Sequence, residues 1–469
     1  MTTLADPVPG GRPGEVERAH RLVEELGARG VHGVVLAYVD TAGINRVKSV
    51  PLGRLPAVTR WGVGMSPVFD TFLADDSIVA TEHLGTPDGD LRLYPDLDPL
   101  VSLAGQPGWA WAPVDRLTQD GTAHPGCSRT FLRHAVGQAA EQGYALRAAI
   151  EIEWAIGRSD DPEAADGGFV PACTGPAYGG NRLVELTDYA ADLLAALAAQ
   201  GVDVDQLHPE YAAGQFELSV AATDPVAAAD RSVLVRQTIR AVGQRHGLRV
   251  SFAPSVVAGG VGNGGHVHVS VWRGDRNLHA GGDQRYGMTP EAEGFAAGVL
   301  AALPALSALA TPSPSSYLRL QPSHWAGVYA CWGHETREAA LRLVTGMVGH
   351  RDRAANLEVK FADLAANPYL LLGGLVACGL AGLQRGLRLP PEVTGDPARL
   401  AESELADLGI RRLPTGIEES LREFCRYPVL LEALGPPLVE AITGVRRGEA
   451  ARVAGLEPAA VAEAYRWVY

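Results

Sequence analysis

Hydrophobic residues recur along the chain with two periods, one typical of helices and one typical of strands. Residues 14–28 carry apolar side chains three and four positions apart, which predicts an amphipathic helix. Residues 34–40 and 46–52 are strand-like, and the short stretch between them contains Gly43. The pattern therefore predicts a helix followed by a β-hairpin with a glycine in its turn.

The rest of the pattern predicts an α+β protein with two domains. Residues 56–120 are rich in glycine, proline and aspartate with short apolar pieces, as in a small α+β module with long loops. Turn-forming residues cluster at 120–126, where we place the domain boundary. The predicted organisation is a disordered segment at 1–13, one domain at 14–122 and a second at 123–469. Helical spacing in the second domain recurs at about 129–142, 184–199, 229–246 and 290–309, and over most of the last hundred residues.

Four strand-like segments share one feature, a pair of polar residues at positions i and i+2 in an otherwise apolar run. Successive side chains on a strand point to opposite faces, so each pair projects from a single face. In the first segment, residues 149–154, two carboxylates on one face repel each other unless a cation compensates them. The four pairs are Glu151/Glu153, Gln215/Glu217, His266/His268 and Glu358/Lys360.

Two interpretations of these pairs are open. An exposed antiparallel sheet also has polar residues at alternate positions, although a solvated face is usually mixed in Lys, Arg, Thr and Ser. Here carboxylates and imidazoles dominate, and the Gly-rich run 259–265 lets the backbone before His266 approach a ligand closely. Glutamate oxygens with one or two imidazoles suit Mg²⁺ or Mn²⁺, and the lack of nearby thiolates disfavours structural zinc.

Three arginines lie in the same part of the chain. Taken singly, Arg319, Arg337 and Arg342 are most simply surface charges. Arg337 and Arg342, five positions apart beside the predicted metal-binding sheet, can instead offer planar guanidinium groups to a phosphate. Divalent ions and arginines that neutralise a moving phosphoryl group are the general components of phosphoryl transfer.

Composition narrows the class of partner. The chain has 469 residues and a formal net charge of −14, which argues against nucleic acid or an anionic membrane as the main partner. The apolar run 368–383 is shorter than the ~20 residues that a bilayer requires, so a buried helix is expected. Residues 1–13 lack the apolar region of a secretory signal. Five scattered cysteines without a CxxC pair suit reduced thiols and a cytoplasmic location.

Six runs of sequence, in this order along the chain, resemble those of the glutamine synthetase family. The resemblance extends from about residue 30 to the end of the chain. The runs are Glu151-Ile-Glu153; His208-Pro-Glu210 to Gly214-Gln215-Phe-Glu217; Gly262-Asn-Gly-Gly-His266-Val-His268-Val-Ser270; Ser316-Tyr-Leu-Arg319-Leu; Glu335-Thr-Arg337-Glu-Ala-Ala-Leu-Arg342; and Leu357-Glu358-Val-Lys-Phe to Ala366-Asn367-Pro-Tyr369.

The resemblance implies an N-terminal β-grasp domain and a C-terminal catalytic domain with a funnel-shaped antiparallel sheet. It also implies double rings, decameric or dodecameric, in which the β-grasp domain of one subunit closes the active site of its neighbour. In such enzymes ATP phosphorylates the γ-carboxylate of glutamate, and an amine then attacks the acyl phosphate to give a γ-amide.

The resemblance also implies roles for single residues. Two divalent ions would be bound, one by Glu153, Glu210 and Glu217, the other by Glu151, His266 and Glu358. Residues near the nucleotide phosphates and the moving phosphoryl group would be His268, Ser270, Arg337 and Arg342. Contacts to the amino acid substrate would come from Gly264, Arg319 and Lys360.

Departures from the family pattern concern the amine. Trp325 stands in the loop 322–327 where ammonia-using members carry a glutamate that takes a proton from ammonium, and tryptophan offers an apolar wall instead. Asp70 aligns weakly with the family's ammonium-binding aspartate. Lys360 and Asn356 stand where the family often has arginines, and lysine lacks the bidentate fork of arginine.

These observations lead to three hypotheses. The first is an ATP- and Mg²⁺- or Mn²⁺-dependent ligase that couples glutamate to an amine other than ammonia, such as ethanolamine, a polyamine, an alkyl or aryl amine, or hydrazine. The second is an ammonia-dependent glutamine synthetase. The third is a catalytically silent ring protein, against which the intact set of six predicted metal ligands argues.

Overall fold

A computed structural model describes residues 14–86, 88–159 and 168–469, so the predicted disorder at 1–13 lies outside the described residues. The helices of the first part are α1 (Glu15–Ala28), α2 (Leu55–Trp61), α3 (Ser128–Glu141), α4 (Gly180–Glu185), α5 (Thr187–Ala199) and α6 (Pro225–Arg245). Those that follow are α7 (Pro290–Ala310), α8 (Ser316–Arg319), α9 (Arg351–Ala354), α10 (Pro368–Gln384), α11 (Glu402–Asp407), α12 (Ile417–Phe424), α13 (Pro428–Arg452) and α14 (Pro458–Tyr465).

The strands lie between these helices along the chain, singly or in groups. In the first part of the chain they are β1 (Gly33–Val39), β2 (Asn45–Pro51), β3 (Val63–Met65), β4 (Leu91–Pro95), β5 (Val101–Ser102) and β6 (Trp109–Leu117). The later strands are β7 (Ala145–Ile150), β8 (Ile152–Arg158), β9 (Val204–Pro209), β10 (Gln215–Val220), β11 (Leu248–Ser251), β12 (Val267–Arg273), β13 (Arg276–Asn277), β14 (Tyr329–His334), β15 (Ala339–Val344) and β16 (Asn356–Val359).

The first six strands form one mixed sheet. Its order is β2-β1-β6-β4-β3, with β5 beside β6, and β1 runs parallel to β6. The predicted hairpin is β1 and β2, whose register pairs Val39 with Asn45. Ala19 and Leu26 of α1 pack into the apolar core of this sheet, so a helix lies across a mixed sheet as in a β-grasp domain. The predicted boundary at 122/123 falls between β6 and α3 and stays a prediction.

The other strands form two sheets, and they correct the expectation of a single antiparallel one. One sheet has the order β11-β8-β10-β9 and the other the order β13-β12-β16-β15-β14, with β7 beside β12. All their pairs are antiparallel except β14 and β15, which run parallel. The prediction of one strand through 149–154 is also wrong, because β7 and β8 belong to different sheets and Glu151 lies between them. The predicted helix at 184–199 is likewise two helices, divided at Leu186.

Apolar helices form the layer behind the sheets. The helix expected at 368–383 is α10, which packs closely against α7 and α3. By length and composition alone, α7 and α13 are long and apolar enough to cross a membrane. The apolar window of α7 is 94% buried inside the protein, so it is a core helix. The backbone of α13 leaves the helical conformation at Gly435, and two prolines follow, so it consists of two shorter helices.

Asn367 and Arg129 connect the first sheet to the part of the chain that follows β6. The side-chain amide of Asn367 donates to the backbone oxygens of Val39 and Asp40 at 3.1 and 3.0 Å, and its oxygen accepts from backbone N–H groups that begin α10. Arg129 of α3 forms buried ion pairs with Asp96, Asp115 and Asp230. Because these groups come from both regions, the end of β1 is held at a defined position relative to the sheets that carry the site.

Candidate active site

Two rows of side chains run across the two catalytic sheets. In the four-stranded sheet, Glu217 lies opposite Glu153 on one side and opposite His208 on the other. In the larger sheet, Glu358 lies opposite His268 and Arg342. Side chains directly opposite each other in antiparallel strands have close Cβ atoms, so each row becomes a cluster. The four predicted polar pairs thus supply most of two neighbouring clusters.

Glu151 and His266 lie at the junction of the two sheets and complete the first cluster. Ligating atoms of Glu151, His266 and Glu358 all lie within 4.8 Å of one another. Arg319 Nη2 donates to His266 Nε2 at 3.2 Å, so His266 Nδ1 carries the proton and donates to Glu151 Oε2 at 3.0 Å. Burial raises the pKa of Glu151, but the adjacent His268 and His266 outweigh it and hold that pKa well below its usual range.

The second cluster contains His208, Glu210 and Glu217, again with ligating atoms within 4.8 Å of one another. The sequence motif that contains His208 did not predict a role for this residue. Its Nε2 is 3.5 Å from Glu217 Oε1 and its Nδ1 is 3.6 Å from Glu210 Oε2. The sequence feature that could have predicted its position is the spacing of two residues to Glu210, which places the two side chains on the same face of an extended segment. The hydrogen bond to Glu217 raises the pKa of His208 to about 9.

Glu153 connects the two clusters. Its Oε1 is 3.7 Å from His266 Nε2, and its Oε2 accepts from the backbone N–H of Gly264 at 2.8 Å and from Gln215 Nε2 at 3.2 Å. Burial raises the pKa of Glu153, and the neighbouring Glu217 adds to this effect while His266 opposes it. Gly264 is required for space, because a Cβ there would lie 2.5 Å from His266 Nε2 and 2.8 Å from Glu153 Oε1.

His268 is fixed as a cation by acceptors on both ring nitrogens. Its Nε2 donates to Glu151 Oε1 at 3.1 Å, and its Nδ1 donates to Asn356 Oδ1 at 2.9 Å. Burial lowers the pKa of His268, but Glu151 outweighs it and raises the pKa to about 9. Asn356, which stands where the family often has an arginine, therefore positions the ring of His268. Ser270 is buried farther along the same strand face, where its Oγ accepts from Trp272 Nε1 at 2.8 Å.

The two predicted phosphate-binding arginines have different surroundings. Arg342 Nη1 donates to Glu358 Oε2 at 2.9 Å, and its Nη2 donates to Glu335 Oε2 at 2.8 Å. Arg337 is exposed, and among the described residues no hydrogen bond or ion pair engages its guanidinium. Lys360 is buried, with Nζ 3.0 Å from Glu358 Oε1. Although burial raises the pKa of Glu358, Lys360 and the histidines lower it to about 2.

In this chain the buried Arg319 stabilises the backbone that follows β16. It is only 7% exposed, and its terminal nitrogens donate to the backbone oxygens of Phe361 and Lys360 at 2.9 and 3.0 Å. Burial lowers the pKa of Arg319, and the nearby Glu153 opposes that effect. These contacts hold the end of β16 beside His266, and the predicted contact of Arg319 with the amino acid substrate stays a prediction.

Trp325 lies on an exposed loop, and its side chain is 53% exposed. Its backbone has a φ of 55°, which is in the left-handed region. The Trp325 N–H donates to Glu338 Oε1 at 2.9 Å, and Glu338 is buried beside the start of β15. Burial raises the pKa of the Glu338 carboxyl. The loop is therefore anchored by a residue that follows Arg337 directly, and the large indole remains accessible to a substrate.

Asp70 lies apart from these clusters in the single chain. Its carboxylate is 1% exposed and accepts from Arg116 Nη1 at 2.6 Å and pairs with His124 Nε2 at 2.8 Å. Burial raises the pKa of Asp70, but Arg116 and His124 outweigh it and lower that pKa. Both oxygens are thus engaged by the chain's own residues, and the predicted contact of Asp70 with an amine stays a prediction.

The donor sets fit divalent cations. Glu210 Oε2 is buried without a hydrogen-bond partner among the described residues, and burial with two nearby carboxylates raises the pKa of Glu210 to about 7. Repulsion among Glu153, Glu210 and Glu217 is relieved when a cation lies between them. Oxygen donors with one imidazole per cluster suit Mg²⁺ or Mn²⁺ better than a soft metal.

Comparison with known proteins defines the class. A family model described as glutamine synthetase, catalytic domain, matches residues 125–461. The chain belongs to the glutamine synthetase family of ligases. The predicted family and the α+β glutamine synthetase fold are therefore confirmed, and members of this family use ATP and a divalent metal.

Individual relatives cover nearly the whole chain. The γ-glutamylpolyamine synthetase GlnA3 of Streptomyces coelicolor is 67% identical over 466 residues, which are 99% of each chain. The glutamine synthetase of Halobacterium salinarum is 28% identical over 442 residues, 92% of each. A crystal structure described as a novel glutamine synthase homolog aligns with a TM-score of 0.83 at 31% identity, covering 94% of this chain and 99% of that one. A structure described as a GmaS/ADP complex aligns with a TM-score of 0.81 at 25% identity, covering 93% and 97%.

Proposed function

We propose that this protein is an ATP- and divalent-metal-dependent ligase that joins the γ-carboxylate of glutamate to a polyamine. The single observation that carries the proposal is the 67% identity, over 99% of both chains, to a relative named as a γ-glutamylpolyamine synthetase. Trp325 supports it, because its indole is exposed and the resemblance to the family aligns it with the proton-accepting glutamate of the ammonia-using members.

The acyl half of the reaction is assigned to the two clusters. Glu151, His266 and Glu358 would hold one Mg²⁺ or Mn²⁺ ion, and Glu153, Glu210 and Glu217 with His208 would hold the other. Such ions, when bound, neutralise phosphate oxygens of ATP and of the phosphoryl group.

Protein side chains supply the remaining charge for phosphoryl transfer to the γ-carboxylate. Arg337 is exposed and offers its planar guanidinium to the phosphoryl group, while Arg342 is oriented by two carboxylates. His268 and Ser270 line the strand face assigned to the nucleotide phosphates. The substrate's amino acid end is assigned to Gly264, Arg319 and Lys360.

The amine half is assigned to the loop that bears Trp325. Attack of the amine nitrogen on the acyl phosphate forms the amide bond and releases inorganic phosphate, and the nitrogen loses a proton. An alkyl chain of a polyamine would pack against the indole, and a second ammonium at its far end would be stabilised over the ring face by a cation–π contact. A neighbouring subunit's Asp70 is a proposed further contact.

Phosphate release from ATP tests the proposal most directly. We expect turnover with glutamate and putrescine, spermidine or spermine, and weak turnover with ethanolamine or ammonia at the same concentration. Robust turnover with ammonia alone would contradict the amine assignment and leave an ammonia-dependent glutamine synthetase. If no amine supported turnover and calorimetry detected neither Mn²⁺ nor ATP binding, the catalytically silent ring protein would stand.

Substitution of Trp325 tests the loop separately. We expect Trp325→Glu to raise KM for the polyamine and to increase the activity with ammonia relative to that with the polyamine. Trp61→Glu is the matched control, since Trp61 is a similarly exposed tryptophan, 48% accessible, on α2. Equal changes in both variants, or an unchanged amine preference in Trp325→Glu, would remove Trp325 from the amine site.

The proposed assembly is a double ring in the cytoplasm, with active sites between subunits. Its support is membership of the glutamine synthetase family, whose resemblance implies such rings, and the position of Asp70 apart from the two clusters of its own chain. Light scattering coupled to size-exclusion chromatography is expected to give the mass of ten or twelve chains. A monomeric mass with full activity would contradict this assembly.

A further inference from the structure

A cavity lined by both polar and apolar side chains lies away from the clusters described above. Its volume is about 640 Å³, within the usual range for a small-molecule site. It is formed where the β1–β2 hairpin, the loop at Gly105 and Gln106, and α6 meet the end of the described chain at Val468 and Tyr469. None of the residues assigned to ATP, metal or glutamate lines it.

The charged side chains that line this cavity are all cationic. Arg236, Arg240 and Arg245, all on α6, line it, and no carboxylate side chain is among its lining residues. Arg236 and Arg240 are four positions apart on the helix, a spacing at which like charges face each other and repel. In a chain with a net charge of −14, such a concentration of unpaired cations requires a physical reason.

Arg236 is the most buried of the three. It is 7% exposed, and its Nη1 donates to the backbone oxygen of Leu364 at 2.7 Å. No carboxylate lies within ion-pair distance of it in the described chain. Burial, together with the smaller effect of the neighbouring Arg240, lowers the pKa of Arg236 to about 10. An unpaired buried cation is costly unless an anion compensates it.

Arg240 is a second arginine that lines the cavity. Its side chain is accessible to solvent through the cavity, although protein atoms lie close to it on the other sides. Its guanidinium carbon lies 4.8 Å from the ring centroid of Phe252, and it makes no ion pair with a described residue. Burial lowers the pKa of Arg240 to about 10. Two guanidinium groups therefore face the same space with most of their donors unused.

We propose that this cavity binds a small organic anion that carries a phosphate or two or more carboxylates. Arg236, Arg240 and Arg245 supply planar donors that match either group. The valines that line the cavity, among them Val35, Val47 and Val233, provide an apolar surface for the carbon skeleton. The site joins the N-terminal sheet to α6, and the inference does not depend on which amine the enzyme uses.

Titration calorimetry of the full-length oligomer in metal-free buffer tests the proposal, with inorganic pyrophosphate and citrate as probes. Because the active site has cations of its own, the comparison of variants is decisive. We expect wild type and Arg422→Gln to bind at least one probe, and Arg240→Gln and Arg236→Gln to bind it at least tenfold more weakly. Arg422 is an exposed arginine on α12. The preferred probe distinguishes a phosphate ligand from a polycarboxylate.

Thermal unfolding gives a second readout that a merely structural arginine would not produce. Without an anion, Arg240→Gln is expected to raise the unfolding midpoint, because it removes repulsion from Arg236. With the anion, it is expected to lose the stabilisation that wild type gains. If Arg236→Gln fails to fold, Arg240→Gln decides alone. Unchanged binding in Arg240→Gln, or no binding of either probe to wild type at millimolar concentration, would overturn the proposal.

Discussion

Gly264 is the position where a single methyl group would disturb the site most. An added Cβ would lie between His266 Nε2 and Glu153 Oε1, at 2.5 and 2.8 Å, and neither side chain can withdraw without leaving its cluster. We expect Gly264→Ala to lower kcat/KM by at least ~10²-fold, as for misplacement of reacting groups by about 1 Å. Steady-state kinetics measures this.

A matched control for that substitution is Gly137→Ala on α3, where an added Cβ meets nothing within 4 Å. Alanine in a helix interior is more stable than glycine by roughly 0.5–1 kcal/mol, so this control is expected to be active and slightly stabilised. Near-normal activity in Gly264→Ala would mean that the backbone at Gly264 does not approach the reacting groups closely.

Glu210 tests whether the second cluster is a metal site. Removing one of its crowded carboxylates with Glu210→Gln is expected to raise the metal-free unfolding midpoint by roughly 1–3 °C, because repulsion is relieved. The same variant is expected to bind Mn²⁺ about tenfold more weakly or worse, since ligand charge sets affinity. Thermal unfolding with and without Mn²⁺ measures both effects, with exposed Glu25→Gln on α1 as control. Equal stabilisation of Glu210→Gln and wild type by Mn²⁺ would exclude Glu210 as a ligand.

At the scale of elements, the loop that carries Trp325 is anchored at two points, where Ser323 Oγ donates to Asp396 Oδ2 at 2.7 Å and where the Trp325 backbone meets Glu338. Trp325 N–H donates to the Glu338 carboxyl at 2.9 Å, and a charged acceptor is stronger than a neutral one by about 1 kcal/mol. Glu338→Gln is therefore expected to raise KM for the amine roughly fivefold while KM for ATP stays constant. Steady-state kinetics with each substrate varied in turn measures this.

Glu404→Gln is the matched control for the loop, because Glu404 also accepts a backbone N–H, that of Ala401 at 2.7 Å, on distant α11. It is expected to leave both KM values unchanged. If Glu338→Gln raised the two KM values equally, the anchor would act on the whole fold rather than on the amine loop.

The segment 149–154 shows which part of an element a local pattern predicts. Alternation placed Glu151 and Glu153 on one face, and both indeed lie beside His266. It did not reveal that the chain passes from one sheet to another at Glu151, because hydrogen-bond partners of a strand are chosen by distant segments. The pairing of β7 with β12 and of β8 with β10 is what makes two clusters instead of one row.

At the scale of the whole molecule, one buried histidine makes stability depend on pH. His279 is fully buried, neither ring nitrogen has a hydrogen-bond partner among the described residues, and burial lowers its pKa to about 4. The unfolded chain, with an ordinary histidine pKa of about 6.5, binds the proton more readily between pH 6.5 and 4. Stability from neutral His279 is therefore present above pH 6.5 and is lost as the pH falls toward 4.

The expected loss is about 3 kcal/mol across that interval, from the difference between the two pKa values. Chemical denaturation at pH 7 and pH 5 measures it. In His279→Leu the decrease in stability between these pH values is expected to be smaller than in wild type. The exposed His20→Leu on α1 is the control and is expected to keep the wild-type decrease. The same pH dependence in His279→Leu and wild type would assign the effect to other groups.

The sequence by itself determined the family and the fold class of this protein, and it predicted the residues of the site. Spacing of two along strand-like runs predicted Glu151, Glu153, Glu217, His266 and Glu358 as candidate ligands, because alternation is a local property of extended backbone. The order of the motifs identified the family, and Trp325 led to the prediction of an amine other than ammonia.

Only the tertiary structure decided which groups are paired, buried or free. It placed His208 in the second cluster, engaged both oxygens of Asp70 with Arg116 and His124, and left Arg236 and Arg240 unpaired around a cavity. The physical reason is that the burial and charge compensation of a side chain depend on segments far away in sequence. A residue's type and spacing fix what it can bind, and its neighbours in space fix whether it is free to do so.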